Sequence, residues 1–189
     1  QRSAPLHWLA LARAIAVTVA VLAVIEWVAG HAHLPGLTAT YFDVVGRGGA
    51  DRQMSVFALN LQPYLSALIL IELVAWAIPA WRRRRLGSPA DRRPIDLAVL
   101  LATVAIATLQ SHFMWAFLAG APDDVELVTP GALTHVAFIA TAVAGVLALA
   151  VAARAITRWG LGHGVMVLLG FELARGWWKV RPHGEDDPQ

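Results

Sequence analysis

Apolar residues run almost unbroken over residues 13–29, 61–81, 95–118 and 133–153, and a shorter apolar run covers 161–174. The first four are near the roughly 20 residues that a helix needs to cross a bilayer. None alternates with the period of two of a membrane barrel strand, and an open sheet cannot satisfy its backbone in lipid. The pattern predicts an all-α membrane protein with about five transmembrane helices. The fifth run reads as a thin span, a re-entrant helix or the start of a longer one. Residues 1–174 then form a membrane domain and 175–189 a polar tail, whose Gly184-Glu185-Asp186-Asp187-Pro188 reads as a natural C-terminus. The first run is long for a signal peptide and ends on Glu26 and Trp27, so a retained helix is expected.

Between the first and second runs the pattern breaks. Pro35-Gly36 marks a turn, and Gly46, Gly48 and Gly49 make a flexible stretch. Residues 51–60 are moderately apolar and are followed by Gln62 and Pro63. One reading is a short half-helix over about 51–60, a break, and then a full span. The other is an ordinary kinked helix. Broken backbone at membrane depth occurs where it is buried in protein or lines a wet cavity.

The few charges orient the chain. Arg82, Arg83, Arg84, Arg85, Arg92 and Arg93 crowd the connection between the second and third runs, whereas the next connection carries Asp123, Asp124 and Glu126 and no Lys or Arg. Basic connections stay in the cytoplasm, so the N-terminus is expected inside. The arginines either set topology alone or also dock a cytoplasmic partner. With 58% hydrophobic and 15% charged residues, disorder and an ordinary soluble domain are excluded. The absence of cysteine removes disulfides and thiol chemistry, and a formal net charge of +2 gives no basis for nucleic-acid binding.

Candidate chemistry is sparse. His31, His33 and Asp43 lack a convincing fourth zinc ligand. His112 and His135 are the one pair that could hold a haem, but both fall near the outer interface, where hydrogen-bonded histidines are the plainer reading. No cofactor and no metal are expected. Glu26 and Glu72 are intramembrane acids, either proton-relay groups or acids bonded to a neighbour. No Ser-His-Asp spacing, phosphate loop or His-Glu-x-x-His helix is present, so no enzyme is expected.

Four elements carry a family resemblance. Gly48-Gly49-Ala50, Ser55-Val56-Phe57-Ala58-Leu59, Pro63-Tyr64-Leu65-Ser66-Ala67 and the following Leu68-Ile69-Leu70-Ile71-Glu72-Leu73 resemble, in order, the plug and second span of SecY, the channel subunit of the Sec protein translocon. Ala144-Gly145 and then Ile156-Thr157-Arg158-Trp159-Gly160-Leu161-Gly162-His163-Gly164 resemble the region up to the turn between its fourth and fifth spans. Leu34-Pro35-Gly36-Leu37 resembles the element after its first span, and Gln110 stands where its third span has a glutamine. Departures are Asn60 for a glycine, Gln62 for a methionine, Glu72 for a glutamine, Val151-Ala152-Ala153-Arg154 for Trp-Leu-Gly-Glu, His163 for an asparagine, and Glu172 for a small residue.

The resemblance implies the N-terminal half of a ten-span fold, one of two inverted halves, with a plug-like half-helix before the second span. It implies a plug containing Gly48, Gly49, Ser55, Phe57 and Leu59. It implies a pore ring of Leu65, Ile69, Leu169 and Leu173, which would dewet when closed. It also implies a cytoplasmic turn of Gly160, Gly162, His163 and Gly164. The function implied is protein export or membrane insertion at the cytoplasmic membrane. The partners implied are substrate chains, other Sec subunits or a second half-channel chain, and a cytoplasmic ribosome or motor. Two alternatives remain: a non-conducting accessory or regulatory paralogue, and a small proton-coupled or haem-binding membrane protein using Glu72 and His112.

Overall fold

The computed structural model describes residues 4–44, 54–122 and 125–180. These residues form helices joined by turns, with two isolated β-bridges and no sheet. The helices are α1 (Ala4–His31), α2 (Ala39–Val44), α3 (Gln62–Ala77), α4 (Pro79–Leu86), α5 (Pro89–Ala119), α6 (Ala132–Trp159) and α7 (Gly164–Val180). The chain is therefore an all-helical membrane protein, as its apolar runs predict. Helices α1, α5 and α6 are long and apolar enough to cross a bilayer. With 28, 31 and 28 residues they extend about 42–46 Å, beyond the roughly 30 Å hydrocarbon core, so their ends reach the headgroups.

The second run is not one straight span. It stops at Ala77, and α4 leaves at 111° to α3. Pro79 explains the break: it lacks an N–H and pushes the residue before it out of the helical region. Ile78 accordingly has φ −99° and ψ 114°. This corrects two expectations. The span read over 61–81 ends four residues early, and the arginines do not sit in a loop. Arg82, Arg83, Arg84 and Arg85 belong to α4, while Arg92 and Arg93 belong to the first turns of α5. Only Gly87 and Ser88 separate the two helices. The described part of the expected half-helix, 54–60, is a run of tight turns rather than α-helix. Ala58 N–H donates to the Ser55 carbonyl and Asn60 N–H to that of Phe57, each at 2.8 Å. Asn60 adopts φ 52°, which ends any right-handed helix there.

Ser88 caps α5. Its hydroxyl and its backbone N–H donate to the Asp91 carboxylate at 2.7 and 2.9 Å, while the Asp91 N–H points back at the Ser88 hydroxyl. Together they make a reciprocal capping box. Ser88→Ala is expected to cost about 1 kcal/mol of local stability. Faster hydrogen exchange confined to residues 90–93 is the corresponding readout.

The chain divides into two compact units, Ile25–Ala150 on the one hand and Gln1–Val24 with Val151–Gln189 on the other. In the first, α3 packs along α5. Small side chains allow it: Ala67 and Ala75 of α3 and Ala107 of α5 are buried. The buried Thr103 and Ser111 hydroxyls bond the carbonyls of Val99 and Ala107 one turn back, at 2.7 Å each, which satisfies them without a partner helix. A core cluster of Leu34, Tyr41, Trp115, Leu118, Val128, Phe138 and Ala142 gathers α2, α5, α6 and the connecting segments. In the second unit, α7 has 17 residues, short of the roughly 20 of a span, and it continues past 174 to Val180.

Candidate functional site

The plug-like segment is the part of the Ile25–Ala150 unit with the most unusual seating. Ser55 is buried and forms an antiparallel bridge with His33. The Leu34 N–H donates to the Met54 carbonyl and the Val56 N–H to the Ala32 carbonyl, both at 3.0 Å. Met54, Ala58 and Leu59 pack on the core cluster, and Phe57 is half-buried. On its other side the Val56 backbone lies against Gly145 of α6. A Cβ at position 145 would collide with the Val56 carbonyl oxygen and sit 2.8 Å from its carbon. The glycine is what lets an irregular strand of backbone press into a helix face. Gly48 and Gly49, the other plug residues expected from the sequence, lie outside the described residues.

A second clasp holds the 32–38 segment itself. Leu37 bridges Val128, Thr38 N–H donates to the Leu127 carbonyl at 3.2 Å, and Thr129 N–H donates to the Gly36 carbonyl at 2.8 Å. The Thr38 hydroxyl caps the arrangement on the Glu126 carbonyl. The segments 32–38, 54–61 and 126–129 thus form one hydrogen-bonded layer. The sequence marked the first two by their Pro-Gly and Asn-x-Gln-Pro breaks. It gave no sign that residues 126–129 join them.

Leu65 and Ile69 fall one turn apart on one face of α3, Leu65 half-buried and Ile69 59% exposed. Leu169 and Leu173 are likewise one turn apart on α7, with Leu173 75% exposed. Exposed apolar side chains on these helices are available to lipid or to another chain.

The second unit holds the glycine-rich turn between α6 and α7. Gly162 has φ +68°, and Gly164 lies so close to the Ala153 carbonyl that a Cβ has no room. Gly160 N–H bonds the Ile156 carbonyl at 2.7 Å, and the Gly164 N–H bonds the Thr157 hydroxyl at 2.8 Å. The Leu161 N–H bonds the Thr18 hydroxyl at 2.9 Å, and Thr18 in turn donates to the Ala14 carbonyl. His163 is exposed at the tip. Sequence reasoning found the glycines and missed Thr18, which is buried and is the one hydroxyl side chain of α1. A lone hydroxyl there was the available signal.

Several of the acids and histidines are engaged. Arg85 Nε donates to both Glu72 oxygens at 2.8 and 3.0 Å, which ties α4 to α3 across the bend. A pair this exposed adds about 1 kcal/mol at most, so its consequence is angular. Glu172 faces Arg175 at 3.7 Å. Glu26 lies half-buried in α1 and Gln110 half-buried in α5. His31 Nδ1 contacts the Trp27 carbonyl at 2.7 Å, and His33 packs edge-on against Phe42. His112 Nδ1 and His135 Nε2 are 3.2 Å apart, and the His135 ring stacks on Trp115 at 5.1 Å. Nitrogens that close leave no room for an iron and its porphyrin between them.

Comparison with known proteins gives a match to the family model described as SecY over residues 55–180. Among similar curated proteins is the protein translocase subunit SecY of Thermus thermophilus, 26% identical over 133 residues, which is 69% of this chain and 30% of that protein. That of Haemophilus influenzae is 32% identical over 124 residues, 65% of this chain and 27% of its own length. That of Escherichia coli strain K12 is 29% identical over 130 residues, 68% of this chain and 29% of its own length. The matched stretch is therefore under a third of these relatives.

Proposed function

The chain belongs to the SecY family, and on that premise we propose that it forms one half of a protein-conducting channel in the cytoplasmic membrane, with its N-terminus inside. The observation that carries the reading is the seat of residues 54–61 on Gly145. A segment of turns pressed into a helix face is a removable stopper. It is held by a few backbone bonds and by the packing of Met54, Ala58 and Leu59 on the core cluster, not by helical hydrogen bonding along its length. Leu65 and Ile69 of α3 contribute to the apolar constriction that this stopper closes; Leu169 and Leu173 of α7 are apolar positions of the same kind, and the 160–164 turn faces the cytoplasm. A half cannot enclose a pore, so the pathway is completed by a second half, on another chain or in a further part of the same protein. Substrates are unfolded secretory or membrane-protein chains. A ribosome or a motor on the cytoplasmic side, or a gradient, supplies the drive.

A photo-reactive amino acid at Leu65 or Ile69 tests this reading in membranes that carry an arrested export chain. Crosslinks to that chain are expected from both positions, and none from Leu101, which is exposed on α5. Absence of crosslinks under conditions that label an authentic channel, together with stoichiometric co-purification of a complete SecY, would assign the chain to a non-conducting accessory role instead.

A further inference from the structure

We infer that His112 of α5 and His135 of α6 form a two-imidazole site for a tetrahedral divalent cation, with zinc as the ion whose bond lengths fit. His112 Nδ1 and His135 Nε2 are 3.2 Å apart, and the two ring centroids are 5.2 Å apart. Zinc–nitrogen bonds of about 2.0–2.1 Å at a tetrahedral angle hold two ligand nitrogens about 3.3 Å apart and their ring centroids about 5.2 Å apart. A straight N–H···N bond of the observed length would set the centroids about 5.5 Å apart. The shorter separation means that the two nitrogens do not point straight at each other. A porphyrin finds no room there, but a single ion does.

The pair is held in shape by the core. The His135 ring stacks on Trp115 with centroids 5.1 Å apart, and Trp115 meets the fully buried Phe138 edge-on at 5.2 Å. Trp115 and Phe138 both belong to the core cluster, so the His135 ring is aimed by residues that cannot easily move. His112 stands three residues before Trp115 on α5, on the same side of the helix, and is exposed. Among the described residues no third His, Cys, Asp or Glu joins the pair. Water then fills the remaining ligand positions. A cavity of about 440 Å³, lined by Trp115, Glu126, Pro130 and His135 among others, supplies the room.

The surrounding charge favours a cation. No Lys or Arg occurs between Arg93 and Arg154, and the connection between α5 and α6 carries Asp123, Asp124 and Glu126. Imidazole nitrogens suit late first-row divalent ions, whereas magnesium and calcium require oxygen ligands. On binding, the hydrogen between the two rings gives way to the ion, its proton moving to the far nitrogen of the same ring or into solvent. The ion ties the C-terminal turns of α5 to the first turn of α6, beside the cluster on which Met54, Ala58 and Leu59 pack.

The test does not require conduction. The full chain is purified in detergent on a tag free of histidine, stripped with a chelator, and titrated with zinc chloride by calorimetry. One equivalent is expected to bind and to raise the Tm, and magnesium chloride is expected to do neither. His112→Ala is the decisive variant, because the side chain is exposed and its removal spares the core. It is expected to weaken zinc binding at least about tenfold. His112→Cys is expected to restore binding, since a thiolate is also a zinc ligand. The chain has no cysteine of its own, so cobalt chloride in place of zinc is expected to give a sulfur-to-metal charge-transfer band in His112→Cys and none in wild type. Zinc binding unchanged in His112→Ala would overturn the inference. So would its loss when His31 and His33 are replaced by alanine instead, or heat no greater than a detergent blank with an unchanged Tm.

Discussion

Gly145→Val is expected to unseat residues 54–61 and to lower stability by about 2 kcal/mol. The added side chain would occupy the space of the Val56 carbonyl, whose carbon lies 2.8 Å from the Cβ position and whose Cγ1 lies 3.0 Å away. The helix backbone of α6 cannot yield cheaply, so residues 54–61 are the side that moves, against their bridge to His33. Valine restores little helix propensity over glycine, so no gain offsets the collision. The chain has no cysteine, so a single cysteine at Phe57 reports cleanly. Its labelling by a maleimide is expected to rise about tenfold in the Gly145→Val background. Gly170→Val is the control, since a Cβ there meets nothing within 4 Å.

Gly36→Ala is expected to cost about 3 kcal/mol, through two separate effects. The backbone at Gly36 has φ +87°, which costs an L-residue roughly 1–2 kcal/mol. A methyl there would also collide with the Thr134 methyl and lie 3.3 Å from the Trp115 ring, a further cost of about 1–2 kcal/mol. Because the Gly36 carbonyl accepts from Thr129, hydrogen exchange at residues 126–129 is expected to accelerate along with the fall in stability. Loss of stability without faster exchange there would show that the clasp survives the substitution.

The spans and the breaks were legible in the sequence because both follow from local chemistry. Long apolar runs announced α1, α5 and α6, and Asn60 with Pro63 announced the interruption before α3. The bend at Ile78 was equally local, since Pro79 is in plain view. The apolar run hides it, because Ala80 and Trp81 carry that run past the proline. The Ser88–Asp91 cap was written in the sequence as Ser-x-x-Asp and was masked by the arginines around it.

What the sequence could not reveal is pairing at a distance. Gly145 and Val56 are 89 positions apart, and Thr18 and Leu161 are 143 apart. Nothing in a single chain marks which glycine gives way to which carbonyl. For the candidate site this matters more than for the fold. The plug-like segment and the glycine turn were found by resemblance, but their holders, Gly145 and Thr18, acquire meaning only in three dimensions.

The central claim is that residues 54–61 are a stopper displaced by a passing chain. The Phe57→Cys variant tests it most directly, by maleimide labelling in membranes with and without an arrested export substrate. Labelling that rises when the substrate is engaged, to about the level reached with Gly145→Val, is the predicted result. Labelling that stays at its resting level while the substrate is demonstrably crosslinked to Leu65 or Ile69 would contradict it.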